Sequence, residues 1–443
     1  MAQADLADSH ISELHAEAAR LGVPDYRKLR RERLIEEIEE RGEDAGETPE
    51  PAEVAEAREE LEQVEEAEER EAAERADERE ERPRRRERRE PTDAATEQVR
   101  GVLDRTHRGY GFLRLRGLES WPGDVYISAS QIRRCELRIG DLVSGPAREP
   151  ERGERYPALV HVDLVNGVEP REDGERPELE DLTAVAPHRR LRIEPDQADL
   201  LTRAVDLLVP LALGQRVLVR AAPRSGRTTL LRGLAGAIQA VADRPALVVL
   251  LVDERPEEAT AWAEVLPDDE LAVATAEMDH REQVRVARLA LERAKRRAES
   301  GEDVVLIVDS LSRLAVAHRD PDGVKQLFGA GRELAEEDAG SLTVIGTVLD
   351  GAADEGAARA AVETTENALV VLDPDLAAAG VFPALRPDEC RASDEEALRE
   401  PGELDAVRRL RAELGELGPD EAAGVLRERL EGSRTNAELL ASL

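Results

Sequence analysis

The run Gln215-Arg-Val-Leu-Val-Arg-Ala-Ala-Pro-Arg-Ser-Gly-Arg-Thr-Thr229 reads as a strand, a tight loop and then a helix from Thr228 onward. That order is what a phosphate-binding loop requires, because backbone N–H groups and a helix N-terminus converge on the anion. The strict pattern G-x-x-x-x-G-K-[ST] is not met. Ala221 stands at the first glycine position and Arg227 at the lysine position, while Gly226 and Thr228 match. Taken alone, the run is equally well explained as a plain strand–turn–helix connection. Its candidate nucleotide-binding residues are Pro223, Arg224, Ser225, Gly226, Arg227, Thr228 and Thr229.

Two segments downstream decide for the phosphate loop. Val304-Val-Leu-Ile-Val-Asp-Ser310 is an apolar strand ending in Asp309, an acid suited to hold the water shell of Mg²⁺ opposite Thr228. Between them, Val248-Val-Leu-Leu-Val-Asp-Glu-Arg-Pro-Glu-Glu258 ends in Asp253, Glu254 and Arg255. A carboxylate there could polarise an attacking water, and the candidate catalytic residues are Glu254, Arg255 and Arg227. Strand-like runs at Arg216–Arg220, Ala246–Asp253, Val304–Asp309, Leu342–Leu349 and Ala368–Asp373 alternate with helical stretches. Such alternation marks a parallel sheet with helices on both faces, here a RecA-like P-loop ATPase domain.

A second texture precedes it. Four of the nine aromatic residues, Tyr110, Phe112, Tyr126 and Tyr156, fall in Arg108-Gly-Tyr-Gly-Phe-Leu-Arg114, Asp124-Val-Tyr-Ile-Ser128 and Glu154-Arg-Tyr156. Alternation along a strand places Tyr110 and Phe112 on one face, with Gly109 and Gly111 leaving the surface beside them open. Rings on an open, Arg-flanked sheet face suit unstacked bases, since every base has a π-face and every nucleotide a phosphate. The competing reading packs the same rings inside a small barrel. Short alternating strands separated by Gly and Pro turns over residues 97–168 suit a five-stranded barrel of the OB or cold-shock type.

At 443 residues the chain is long enough for two or three domains, and 41% apolar content fills a core. A net charge of −36 argues against a generally basic nucleic-acid coat, so any RNA contact is local. Cys135 and Cys390 are too few for a disulfide framework or a four-ligand zinc site. The polar start and the lack of a long apolar run point to a cytoplasmic protein with no membrane partner. Lysine occurs only at Lys28, Lys295 and Lys325, a bias toward arginine that bears on Arg227.

The chain thus divides into a small helical unit at 1–42, an acidic Glu/Arg-rich spacer at 43–95, the barrel at 96–168 and a linker at 169–185. The ATPase domain follows at 186–400, and a helical segment closes the chain at 401–443. The spacer has too few large apolar residues to offset its ordering entropy as a packed domain. It is a solvated helix of Glu–Arg pairs or a disordered spacer.

Together these stretches resemble bacterial transcription termination factor Rho over essentially the whole chain. The helices within Ile11–Ile38 resemble its N-terminal helical subdomain. Gly109–Arg114, Asp124–Arg134, Leu137–Asp141 and Gly153–Tyr156 resemble its cold-shock-type primary RNA site. The resemblance implies base pockets lined by Tyr110, Phe112, Arg114, Asp124, Tyr126, Glu154, Arg155 and Tyr156, with a preference for pyrimidines. Val252–Glu258 and Asp309–Leu314 resemble its catalytic-glutamate and Mg²⁺ segments, and Val381–Ala384 the stretch whose Phe, here Phe382, stacks on adenine. It implies ATP and Mg²⁺ as cofactors and single-stranded, pyrimidine-rich RNA as partner. It also implies a homo-hexamer or a mixed ring with an authentic Rho, and RNA polymerase as a further contact.

Departures cluster in the motor. The family's P-loop lysine is Arg227, its glycine-rich RNA-gripping loop is largely deleted between His318 and Lys325, and its pore lysine is missing near Asp350–Asp354. The arginine that the family inserts into the neighbouring subunit falls at Ser393, where Arg391 substitutes only with a register shift. Two functions follow as expectations. One is an RNA-dependent ATPase and translocase of weakened activity; the other is an inactive, RNA-binding pseudo-ATPase that modulates termination.

Overall fold

The central parallel-sheet strands are largely apolar runs, and their alternation sorts the core. In Ala246–Glu254, Leu247, Val249 and Leu251 join one apolar cluster while Val248, Leu250 and Val252 join another. Asp303–Asp309 splits the same way, Val305 and Ile307 against Val304, Leu306 and Val308. A period of two on a sheet buried on both faces produces this partition. The computed structural model describes residues 96–443 except 152, 171–175, 195–198, 268–269, 320 and 351–355. The N-terminal helical unit, the acidic spacer and most of the Asp350–Asp354 segment therefore lie outside the described residues.

The first domain is a barrel of β1 (Thr96–Arg105), β2 (Gly111–Arg114), β3 (Val125–Ile127), β4 (Leu142–Arg148) and β5 (Ala158–Leu159). The pairing order is β1-β2-β3-β5-β4, and β4 returns to β1, closing five strands; β6 (Leu164–Val165) adds to β4. Closure depends on the length of β1, whose Thr96–Val102 half pairs β4 while Val102–Arg105 pairs β2. The interior is Leu103, Leu113, Val125, Ile127, Ile132, Val143 and Leu159 with smaller neighbours, and no aromatic ring belongs to it. A capping box at Ser128 and Gln131 starts the helix Ala129–Arg134, whose Ile132 joins the barrel core.

The second domain is built on a nine-stranded sheet. After β7 (Ala184–Val185) come β8 (Arg216–Ala221), β9 (Ala246–Glu254), β10 (Leu271–Thr275), β11 (Asp303–Asp309), β12 (Arg332–Leu334), β13 (Ser341–Leu349), β14 (Ala368–Leu372) and β15 (Arg391–Ala392). The order β10-β9-β11-β13-β8-β14 is parallel throughout, with antiparallel β15 at one edge and β12 bridging β13 to β7. Leu200–Leu208, Arg227–Ala240, Pro401–Gly415 and Pro419–Glu431 cover one face. His280–Glu299, Leu311–His318 and Pro321–Gly329 cover the other. The sheet strands expected from the sequence are found within a residue of their ends.

Candidate functional site

The four rings form one outer cluster on the barrel. Register places Phe112 opposite Tyr126 across β2 and β3. Ring centroids lie 6.1 Å apart for Phe112–Tyr126, 4.9 Å for Phe112–Tyr156, 5.8 Å for Tyr110–Tyr126 and 6.0 Å for Tyr110–Phe112. Leu113 points inward between Phe112 and Arg114, so alternation puts both of those on the outer face. The expectation of an open face holds only in part. Phe112, Tyr126 and Tyr156 are half-buried, but Tyr110 is 6% exposed and precedes β2. Gly111 is itself buried: a Cβ there would meet the Asp104 carbonyl oxygen at 2.8 Å, so it serves the approach of β1 rather than an open surface.

Charged groups frame the rings. The Arg114 guanidinium lies 5.6 Å from the Phe112 centroid and Arg155 lies 5.3 Å from that of Tyr156, both within cation–π range. Arg114 is fixed by Asp104 at 2.6 Å and Asp124 at 2.7 Å. Asp124 is buried and accepts from the backbone N–H of Trp121 at 2.9 Å. Glu154 takes both Nη atoms of Arg148, at 2.6 and 2.9 Å. The eight residues thus gather in one region of the barrel, six as rings or stacked arginines and two, Asp124 and Glu154, as carboxylates paired with neighbours.

Sequence reasoning missed three residues here. Asp104, 5% exposed, accepts from Arg114 and also from Arg285 at 2.6 Å. Arg285 belongs to the helix His280–Glu299 of the second domain, so a single carboxylate ties the ring platform to it. Trp121 sits 4.4 Å under Arg116. Gly123 permits that stack, since a Cβ would fall 1.9 Å from the indole. Only the packed fold brings Asp104 and Arg285, 181 positions apart, together.

The phosphate loop joins β8 to the helix Arg227–Ala240 at Gly226, whose φ of +96° is the left-handed conformation glycine adopts at least cost. Ser225 is buried, and its hydroxyl donates to the Ala222 carbonyl at 2.7 Å. Pro223, Arg224 and Thr229 are exposed and Thr228 half-buried, all at the carboxyl end of the central strands, where α/β sheets bind ligands. Phe382, 43% exposed, follows β14, whose Leu372 pairs with Ala221 at the loop's start.

Arg227 does not extend into solvent from this loop. Its Nη2 meets Glu254 Oε1 at 2.6 Å and its Nε lies 3.0 Å from Asp309 Oδ1. Arg313, not singled out in the sequence, closes the cluster with Nη1 2.5 Å from the same Glu254 oxygen and 2.8 Å from the Asp253 carbonyl. Its only sequence signal is position: one helical turn past Asp309, in a helix capped by Ser310. Asp309, 2% exposed, also accepts from Thr347 at 3.1 Å. Burial, reinforced by the Glu254 carboxylate and opposed by Arg227, pushes its pKa up to about 6. Arg255 stands apart, 79% exposed and 4.0 Å from Glu257.

Thr228 and Asp309 carry oxygen donors of the kind that could hold a nucleotide-bound Mg²⁺, largely through water and phosphate. The donor chemistry fits the ion, which when bound supplies charge neutralisation at the phosphates. Arg227 already pairs with Asp309, so its guanidinium must share or yield that carboxylate. Two guanidiniums, those of Arg227 and Arg313, meet on Glu254 Oε1.

Residues 99–171 match the family described as Rho termination factor, RNA-binding domain, and residues 202–326 match the ATP synthase alpha/beta family, nucleotide-binding domain. Transcription termination factor Rho of Aquifex aeolicus (strain VF5) is 36% identical over 370 residues, 78% of this chain and 84% of that protein. The Bacillus subtilis (strain 168) factor is 36% identical over 360 residues, 77% and 83% of the two chains. That of Streptomyces lividans is 37% identical over 77% of this chain, which spans about half of it, 51%. Among solved structures, an ATPase from the type III secretion system of pathogenic bacteria aligns with a TM-score of 0.49 and 21% identity, over 64% of this chain and 93% of that one. With a closed barrel carrying the ring cluster, a RecA-like sheet carrying the phosphate loop, and relatives matched over most of their length, the chain belongs to the family of bacterial transcription termination factor Rho.

Proposed function

We propose that this chain binds single-stranded, pyrimidine-rich RNA on the Phe112–Tyr126–Tyr156 platform and ATP with Mg²⁺ at the loop Pro223–Thr229, and that its RNA-dependent ATPase and translocase activity is weakened. The observation that carries the weakening is the ion pairing of Arg227 with both Glu254 and Asp309. A lysine is a compact charge that can reach the β- and γ-phosphates, whereas a planar fork with two carboxylate partners must break ion pairs to do so. Phe382 would stack on the adenine, Glu254 would orient water, and Arg255, at the exposed rim, would act on the phosphates.

The inactive pseudo-ATPase is the second reading, with two observations in its favour. The helix Leu311–His318 ends at Arg319 and the next begins at Pro321, a connection too short for an RNA-gripping loop. Arg391 pairs with Glu366 of its own chain at 2.9 Å, away from the trans role its family position suggests. A finger arginine is worth roughly 10³–10⁵ in rate. In this reading the chain joins rings of authentic Rho, or forms its own hexamer, in the cytoplasm, and reaches RNA polymerase through the transcript. Arg227→Lys separates the two readings. Poly(C)-stimulated hydrolysis rising by about tenfold or more, ~1.4 kcal/mol of barrier, supports the weakened motor. No rise, with poly(C) binding intact, supports the pseudo-ATPase.

A further inference from the structure

Between the barrel and the edge of the large sheet lies a cavity of about 440 Å³, separate from the phosphate loop and meeting the ring platform at Arg114. Arg100 and Arg114 enter it from the barrel and Arg293 and Arg297 from the helix His280–Glu299, while Leu118 and Leu271 contribute to an apolar wall. Glu302 is the only carboxylate in the lining. In a chain of net charge −36, four guanidiniums facing one hollow are against the trend of the whole molecule.

Two of the four are neutralised. Arg114 is held by Asp104 and Asp124, and Arg297 by Glu302 at 2.7 Å. Arg293 has one short contact, donating to the Asn166 side-chain oxygen at 3.1 Å, and among the described residues neither it nor Arg100 has a carboxylate within ion-pair distance. Burial and the neighbouring Arg297 and Arg100 pull the Arg293 pKa down to about 10, which places these cations within each other's field. Like charges gathered in a partly desolvated hollow are costly unless an anion joins them. The volume is that of a small-ligand pocket, and a forked donor set is the usual partner of phosphate.

We propose that this cavity is a second anion site, separate from the phosphate loop, in which Arg293 and Arg100 bind a phosphate group. The phosphate belongs either to a small phosphorylated molecule, whose apolar body would lie on Leu118 and Leu271, or to the RNA strand leaving the platform beside Arg114. Occupancy would bridge the barrel to the helix that also carries Arg285.

The test is calorimetric titration of the full chain with inorganic tripolyphosphate at fixed ionic strength. Two equivalents are expected for the wild-type chain. Arg293→Gln, which keeps a donor for Asn166, is expected to bind one equivalent, or a second at least tenfold more weakly. Arg100→Ala, a change at an exposed side chain, gives an independent reading should Arg293→Gln fail to fold, and a tenfold loss at the same site is expected. Repeating the titration with poly(C) bound separates the sources: loss of the second equivalent assigns the site to RNA phosphate, and its persistence to a small molecule. A single equivalent in the wild-type chain, or unchanged binding in both variants, overturns the proposal.

Discussion

Arg227 is where one residue decides most. Its guanidinium is 15% exposed and shared between Glu254 and Asp309, so it both holds the site together and competes with the phosphates for it. Truncation leaves two buried carboxylates facing each other, and Arg227→Ala is expected to cost roughly 3 kcal/mol of stability, read as a fall in Tm. Asp309 carries the complementary expectation. Its pKa is raised from 3.8 to about 6 by burial first and Glu254 second, so between those values the folded chain binds more protons than the unfolded one. Stability therefore falls as pH rises across that window, the reverse of the usual carboxylate case. Asp309→Asn, which removes the buried charge, is expected to raise Tm, with the difference from wild type growing from about pH 4 to about pH 6.5. The same substitution should weaken Mg²⁺-dependent ATP binding, and wild-type binding should decline as Asp309 protonates below about pH 6, both measurable with a fluorescent nucleotide. An unchanged Tm difference over that range would mean that Asp309 titrates normally.

At the scale of elements, β2 and β3 work through alternation. Leu113 fills the barrel while Phe112 and Arg114, its neighbours on either side, build the outer face. The two outcomes separate by measurement. Phe112→Ala is expected to weaken poly(C) binding by ~1–3 kcal/mol, roughly 5- to 150-fold, with Tm little changed. Leu113→Ala is expected to lower barrel stability by ~2–5 kcal/mol. The barrel's link to the helix His280–Glu299 rests on Asp104, which Arg114 and Arg285 share. Arg285→Ala should leave poly(C) binding near wild type while reducing any stimulation of ATP turnover by RNA; equal stimulation would show that Asp104 only stabilises. Strands such as Ala246–Glu254 were legible in the sequence because unbroken apolar runs report burial on both faces. The ring cluster was legible because aromatics are scarce in this chain. The burial of Tyr110 was not, since it depends on where β2 begins and how closely β1 approaches Gly111.

For the whole molecule, the order of motifs along the chain carried the architecture, and identity to Rho factors from distant bacteria agrees with it. What the sequence hid are contacts between segments far apart: Arg313 on Glu254, Arg285 on Asp104, Arg293 beside Arg100 in the cavity. Each joins elements whose proximity follows from sheet order and domain packing rather than from any local pattern. The molecule that results has its ring cluster framed by paired charges and the Arg227 of its phosphate loop turned onto its own acids. Steady-state ATP hydrolysis with and without poly(C), with poly(C) affinity measured on the same sample, tests that division most directly. Tight poly(C) binding with slow turnover, little raised by RNA, is the expected result. Rapid RNA-stimulated hydrolysis by the wild-type chain, or no affinity for poly(C), would contradict it.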